Sequence, residues 1–404
     1  MARTDFFTEN APWLTTGVLL TFLSSFGQTF FISVFAGEIR IAYGLSHAGW
    51  GAIYSIATAV SALVMLWAGG LADRFRVRTL GPLVLIGLAV ACVAMSANVY
   101  VALLPLVIFL LRLTGQGMCS QIAIVAMARW FVARRGRALA VAGLGFALGE
   151  AMLPVLFVWL MTAMDWRALW VAAAVVAVFA IFPIRALLKR ERTPRSHAET
   201  SATTGMNGRH WTRKQALFHP LFWFMAPALL GPAAFNTAFF FHQVHFAEIK
   251  GWSHLQLAAL FPVYTAMGVV AMLVSGALID RMGTARLIPW FQLPMVAAFA
   301  TFAQGNDPVS MLIGFLCLAM TTGANSTLPN AFWAEFYGTR HIGSIKAMAA
   351  AVMVFGSAIG PGLTGLLIGI GVGLETQFLG IAAYFVMTTG LMVIGVAESR
   401  RALV

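Results

Sequence analysis

A stretch of about twenty consecutive apolar residues that lies in lipid must satisfy its own backbone, and only a helix does so within one segment. This sequence is built almost entirely from such stretches. A hydrocarbon core about 30 Å thick needs roughly 20 helical residues to cross it. Runs and breakers give twelve candidate spans: 12–36, 46–70, 79–98, 100–128, 137–162, 167–187, 219–245, 254–278, 285–304, 308–335, 343–370 and 376–397. Composition agrees. Of 404 residues, 60% are hydrophobic and 10% charged, whereas a soluble domain carries about 25% charged residues. Such a chain cannot cover a water-facing particle, and the same figures exclude a disordered polymer and a coiled coil. Cys92, Cys119 and Cys317 all fall inside apolar runs, so they read as packing residues and not as a disulfide framework. The first apolar run is too long for a signal peptide and reads as an uncleaved span.

The formal net charge is +12, which in a soluble protein would suggest nucleic acid. Here the basic residues sit in short clusters between apolar runs. With the N-terminus placed in the cytoplasm, the inner loops carry Arg3, Arg74, Arg76, Arg78, Arg129, Arg134, Arg135, Arg137, Arg281, Arg286, Arg340, Lys346, Arg400 and Arg401. The outer loops keep Arg40, Arg167 and Lys250. This asymmetry sets the orientation, and an even number of spans brings both termini inside. No nucleic-acid partner is expected, and the surrounding partner is the lipid bilayer. The bias of 22 Arg over 4 Lys, with abundant Ala and Gly, points to a GC-rich bacterium and hence to the cell inner membrane.

One polar stretch, 189–217, separates two sets of six spans. The expected domains are an N-terminal bundle at 1–188, a flexible cytoplasmic linker at 189–217 and a C-terminal bundle at 218–404. The two sets repeat. Gly69-Gly70-Leu71-Ala72-Asp73-Arg74 follows span 2, and Gly276-Ala277-Leu278-Ile279-Asp280-Arg281 follows span 8. Asp73 and Asp280 lie 207 positions apart, and the same offset relates Trp130 to Tyr337, Gly136 to Gly343, Gly149 to Gly356 and Pro154 to Pro361. One constant offset across separate elements marks a parallel structural duplication.

At these residues the chain resembles the major facilitator superfamily. GGLADRFRVR matches that superfamily's loop signature after span 2, and GALIDRMGTAR is its second copy. Arg112 followed by Gly115-Gln116-Gly117 resembles the span 4 motif built on a buried arginine, with the Gln-Gly pair one place further on than in the usual form. Arg129-Trp130-Phe131, Arg134-Arg135-Gly136 and Phe241-His242-Gln243 resemble monocarboxylate and oxalate/formate-type carriers. Those carriers often place an arginine in span 8, and here span 8 has no charge before Asp280. The resemblance implies an all-α membrane fold of two pseudo-symmetric six-helix bundles, acting as a monomer, with spans 1, 4, 7 and 10 lining a central cavity. It also implies a cytoplasmic gate. Gly69, Asp73 and Arg74 would face the start of span 11, and Asp280 and Arg281 the start of span 5.

Within the spans, ionisable residues are few and therefore informative. Arg112 lies near the middle of span 4 and must face a cavity or a partner; the bland alternative is a carbonyl clamp or a structural ion pair. Glu150 lies near the middle of span 5, where it reads as a proton-coupling acid acting with Arg112, or else as a packing group. Neither is duplicated, since the offset takes Arg112 to Ala319 and Glu150 to Ser357. Gln28, Arg112, His242, Tyr264 and Asn325 are the candidate substrate contacts. His242, His245 and Glu248 follow one another at steps of three, but a metal site is not expected from them. No catalytic motif, nucleotide-binding run or cofactor fingerprint appears. The function that remains is a secondary transporter for a small organic anion, coupled to protons, with a proton-driven drug efflux carrier as the alternative.

Overall fold

The computed structural model describes residues 4–131, 135–189 and 204–403. Every described element is helical. We number the membrane segments α1 to α12. α1 is a bent pair, Ala11–Gly27 and Thr29–Tyr43. α2 is His47–Ala68, α3 Val77–Ala97, and α4 runs through Leu104–Leu111, a π-helical turn Arg112–Cys119 and Ser120–Trp130. α5 is Arg135–Leu160, and α6 is Trp166–Phe179 with Ile181–Leu187. α7 is Pro220–Phe241 followed by Gln243–Ile249, and α8 is His254–Ala258 with Phe261–Met282. α9 is Leu293–Gln304, α10 is Pro308–Asn325 with Leu328–Tyr337, α11 is Ile342–Gly369 and α12 is Leu374–Arg400.

Ten of these are long and apolar enough to cross a membrane, and α1 makes an eleventh when its arms count as one. α9 is shorter than the expected 285–304. Its 12 residues are preceded by the short helix Thr284–Leu287 and by turns. Pro289 lies in those turns, where it interrupts the amide ladder. Pro294 stands in the first turn of α9, where the missing N–H has no intrahelical partner to lose. Elsewhere proline sits inside helices, at Pro82, Pro154, Pro227, Pro232 and Pro361. Neighbouring groups make this tolerable in a membrane. Pro232 cannot donate to the Ala228 carbonyl four residues back, and the buried Gln292 amide donates to it instead. Gln292 also accepts from the Thr388 hydroxyl at 2.9 Å.

Large apolar side chains such as Leu63, Leu83, Phe179 and Ile370 are more than half exposed, as a lipid-facing surface requires. Inside, aromatic rings carry much of the packing. Phe26, Phe31, Phe35, Phe157 and Trp170 form one edge-to-face cluster, and Phe239, Phe299, Phe302, Phe315 and Phe378 form a second in which stacked, tilted and edge-to-face contacts mix.

Contacts divide the chain into two compact units. The first is Met1–Glu199 with Phe240–Glu248 and Trp252–Phe261; the second is Thr200–Phe239, Ile249–Gly251 and Pro262–Val404. Packing thus assigns the end of α7 and the start of α8 to the first unit, although they follow the linker in sequence. Of the linker, 190–203 lies outside the described residues. The remainder departs from the expected flexibility. Met206–Gly208 forms a turn, Thr212 and Gln215 make a capping box on the helix Arg213–Phe218, and the buried Trp211 donates its backbone N–H to the Tyr337 carbonyl at 3.0 Å. Burying one indole fixes the segment more strongly than its polar composition suggests.

Candidate functional site

The first unit contains an irregular stretch of backbone at membrane depth. Ser25–Gly27 tightens into a 3-10 turn, Gln28 is extended at φ −84 and ψ 154, and the helix restarts at Thr29. The two arms of α1 meet at 48°. The amides of Phe31 and Ile32 both bond to the Gln28 carbonyl, at 3.2 and 3.0 Å. The Gly27 carbonyl is thereby left out of the ladder, and a buried carbonyl needs a donor. Arg112 supplies it, donating from Nη1 at 3.2 Å. The same nitrogen donates to Thr29 Oγ1 at 3.3 Å, and Thr29 Oγ1 shares a 2.6 Å hydrogen bond with the Tyr54 hydroxyl. The guanidinium carbon lies 5.3 Å from the centre of the Tyr54 ring.

Close backbone approach makes this geometry possible. A Cβ on Gly115 would stand 2.6 Å from the Gly27 Cα, so both positions require glycine. Gly149 packs against Ser25 on the other side of the break, with no room for a side chain. The π-helical turn of α4 fits the displaced Gln116-Gly117 pair, because a π-turn absorbs one extra residue and re-aims the side chains after it.

Arg112 is only 2% exposed, and its Nε has no hydrogen-bond partner among the described residues. It forms no ion pair with a described carboxylate. Desolvating an ion costs several kcal/mol. Charge-assisted hydrogen bonds return about 1.5–3 kcal/mol each, and a desolvated cation–π contact about 2 kcal/mol. These contacts allow the charge to be buried but do not neutralise it. Among the described residues the site therefore has one N–H without a hydrogen-bond partner, Arg112 Nε, beside a buried positive charge.

Four of the residues singled out by sequence share this unit: Gln28, Arg112, Glu150 and His242. Gln28 is the hinge of α1 and is 9% exposed. Glu150 follows Gly149 on α5 and is partly buried. His242 is buried where α7 changes helical register, 4.9 Å from the Phe241 ring. Phe241 stacks on Trp50 at 5.3 Å and lies 4.5 Å from Tyr54, so His242 reaches the Arg112 shell through two aromatic rings. Tyr264 and Asn325 belong to the second unit. Tyr264 is buried 6.1 Å from the Phe315 ring, and Asn325 ends the first segment of α10 with its buried Oδ1 meeting no hydrogen-bond partner among the described residues.

Of the gate candidates, Gly69 closes α2 and its amide donates to the Met65 carbonyl. Asp73 and Arg74 lie on the four-residue helix Leu71–Arg74, and their side chains fall outside the described residues. Asp280 and Arg281 are exposed at the end of α8. Among the described residues no group of His, Cys, Asp and Glu has the arrangement of a metal site.

Thr29 and Tyr54 do not stand out in the sequence as site residues. A polar Ser-Ser-Phe-Gly-Gln-Thr segment inside an apolar run is the signal for the break and for Thr29. Tyr54 carries no such mark, because a tyrosine in a membrane span reads equally well as an interfacial or packing residue.

The chain matches the profile of the Major Facilitator Superfamily over residues 17–361. It is 25% identical to monocarboxylate transporter 13 of Bos taurus over 394 residues, which is 94% of this chain and 89% of that protein. It is also 25% identical to monocarboxylate transporter 13 of Rattus norvegicus over 330 residues, or 80% of this chain and 73% of that one. In fold it is similar to a bacterial homologue of the human lysosomal transporter Spinster in its inward-facing, unoccupied conformation. The TM-score is 0.72 at 16% identity, covering 97% and 98% of the two chains. The nucleoside transporter NupG gives a TM-score of 0.70 at 14% identity, covering 95% and 98%. With the duplicated loop signature, the broken α1 and the buried span 4 arginine all present, and the profile matched over most of the chain, the protein belongs to the Major Facilitator Superfamily of membrane transporters.

Proposed function

We propose that the chain is a secondary active transporter that moves a small, monocarboxylate-like organic anion across the membrane by alternating access, coupled to protons. One observation carries the reading. Arg112 is a buried cation with an unpaired Nε–H and no described counter-ion. A carboxylate is the group that a planar guanidinium fork receives best. The rat and bovine relatives carry the name monocarboxylate transporter, which supports the same class.

In this reading the substrate carboxylate takes the Nε side of Arg112 and competes with the Gly27 carbonyl for the rest of the fork. Gln28 and His242 are the proposed polar contacts from the same unit. Tyr264→Phe and Asn325→Ala test the second unit's candidates in the same assay. Glu150 is the proposed coupling acid. Its half-buried carboxyl gains or loses a proton as α5 shifts against the α1 break, and Glu150→Gln should abolish proton-driven accumulation while leaving exchange intact. Asp73, Arg74, Asp280 and Arg281 are proposed for the cytoplasmic gate, and Asp73→Asn should slow net transport. The proposed location is a bacterial inner membrane with both termini inside. A cysteine at Ile249 should then react with an impermeant thiol reagent in intact cells, and one at Ser201 only after permeabilisation.

The deciding experiment uses purified protein in liposomes with an inward proton gradient. Labelled lactate, pyruvate or acetate should accumulate, and an uncoupler should collapse the gradient of substrate. Transport of none of these acids, with uptake of neutral or cationic compounds instead, would contradict the anion reading.

A further inference from the structure

The end of α7 is packed on the first unit by a second set of polar contacts that the anion site does not use. Gln243 is fully buried. Its Nε2 donates to the Phe30 carbonyl at 3.1 Å and to Ser33 Oγ at 2.6 Å, both on α1. Next to this anchor stand three imidazoles. His47 is the first residue of α2, and its ring centre lies 4.1 Å from His245 and 6.1 Å from His242. Two charged groups face them. Glu248 of α7 is 3.5 Å from His245 Nδ1. Arg40 of α1 is close enough to interact electrostatically with both His47 and Glu248.

We propose that His47, His242 and His245 form a proton-binding site whose occupancy controls whether the end of α7 stays docked on α1 and α2. The charges set the sign. One proton on His245 is balanced by Glu248. A further proton on His47 would stand 4.1 Å from the first, ring to ring, and beside Arg40, so three cations would share one carboxylate. Like charges at that separation repel, and the repulsion is relieved when the imidazole-bearing helices separate. Acid therefore loosens the α7 end, and neutral pH keeps it seated. The Phe241 ring, wedged between Trp50 and Tyr54, moves with it, which links this proton site to the shell around Arg112.

Docking can be read without substrate, so the test is independent of the carried molecule. The experiment is hydrogen–deuterium exchange of the amides of 243–249 in the full-length protein in detergent, corrected for chemical exchange, at about pH 7.5 and about pH 5.5, either side of the ordinary imidazole pKa. A coupled proton changes an opening equilibrium by up to about tenfold per pH unit. The wild type should exchange roughly tenfold faster at the lower pH. His47→Gln should keep the slow rate at both, and His245→Gln gives the same comparison should His47→Gln fail to fold. Gln243→Leu, which removes the anchor and not the imidazoles, should exchange faster at both pH values. A wild type with no pH response, or both histidine variants responding like the wild type, would overturn the proposal.

Discussion

In the first unit α1 breaks at Gln28, and a guanidinium occupies the carbonyl that the break releases. The matching stretch of the second unit lies in α7, which runs as helix from Pro220 to Phe241, and a neutral amide occupies the carbonyl that Pro232 leaves without a donor. The 207-residue offset takes Gly27 to Ala234, Thr29 to Asn236, Tyr54 to Phe261, Arg112 to Ala319 and Gly115 to Thr322. Every member of the Arg112 shell is thus replaced, whereas the scaffold glycine Gly149 recurs as Gly356 and packs against the α7 backbone as Gly149 packs against α1. A duplicated fold needs its helix contacts in both copies. It needs a buried charge, which is expensive, only where a ligand or a proton will use it.

The two units differ most sharply at Gly115, whose counterpart is Thr322. Making it threonine, as at position 322, would push a Cβ into the Gly27 backbone. Overpacking a tight contact costs about 1–3 kcal/mol and sometimes more, and this contact is backbone against backbone. Gly115→Thr should lower the thermal unfolding midpoint more than either Gln292→Leu or Arg112→Lys and should displace Arg112. Unchanged stability would mean that the break in α1 is not held by α4.

Gln292→Leu tests the second unit's clamp. It leaves the Ala228 carbonyl and the Thr388 hydroxyl without this partner, a loss of about 1–3 kcal/mol. The unfolding midpoint should fall, and affinity for an anion should not change. A fall in affinity as large as the fall in stability would mean that the second unit also shapes the proposed anion site.

The smallest difference lies in the connections. The first unit turns from α3 to α4 on the neutral Asn98, whose Oδ1 accepts from Tyr100 N at 3.0 Å. The second turns from α9 to α10 on Asp307, whose Oδ1 accepts from Val309 N at 3.0 Å and Ser310 N at 3.1 Å. The Ser310 amide, first among several hydrogen bonds, holds the Asp307 carboxyl below its ordinary pKa. A lowered acid stabilises the fold fully above the ordinary carboxylate value, and the contribution disappears as pH falls through the lowered one. Amide exchange at Val309 and Ser310 should rise below about pH 4, and that at Tyr100 should not. Parallel behaviour at the two turns would remove the distinction.

Much of this architecture is written in the sequence because lipid makes composition decisive. Eleven spans follow from apolar length alone, and the duplication follows from the offset that relates Asp73 to Asp280. The exception is α9, where a run of adequate length is cut by turns around Pro289. Arg112 and its carbonyl-clamp alternative were legible, since an arginine at mid-bilayer must be met by something. Its partners were not. Thr29 and Tyr54 come from different helices, and the Gly27 carbonyl is a backbone atom with no signature of its own. The packing of the α7 end on the first unit was hidden for the same reason: Gln243 is an ordinary amide until the Phe30 carbonyl and Ser33 are seen beside it.

If Arg112 offers a fork to an anion, as proposed, Arg112→Lys should weaken the binding of that anion. Lysine keeps the charge and loses the planar pair of donors. It cannot serve the Gly27 carbonyl and a carboxylate in the same geometry. The measurement is the rise in unfolding temperature of purified wild type and variant on titration with lactate, pyruvate and acetate. Losing one charge-assisted hydrogen bond is worth about 1.5–3 kcal/mol, so the variant should bind roughly 10- to 150-fold more weakly while folding normally without ligand. An Arg112→Lys protein that binds the same acid with wild-type affinity would contradict the assignment of Arg112 to the anion site.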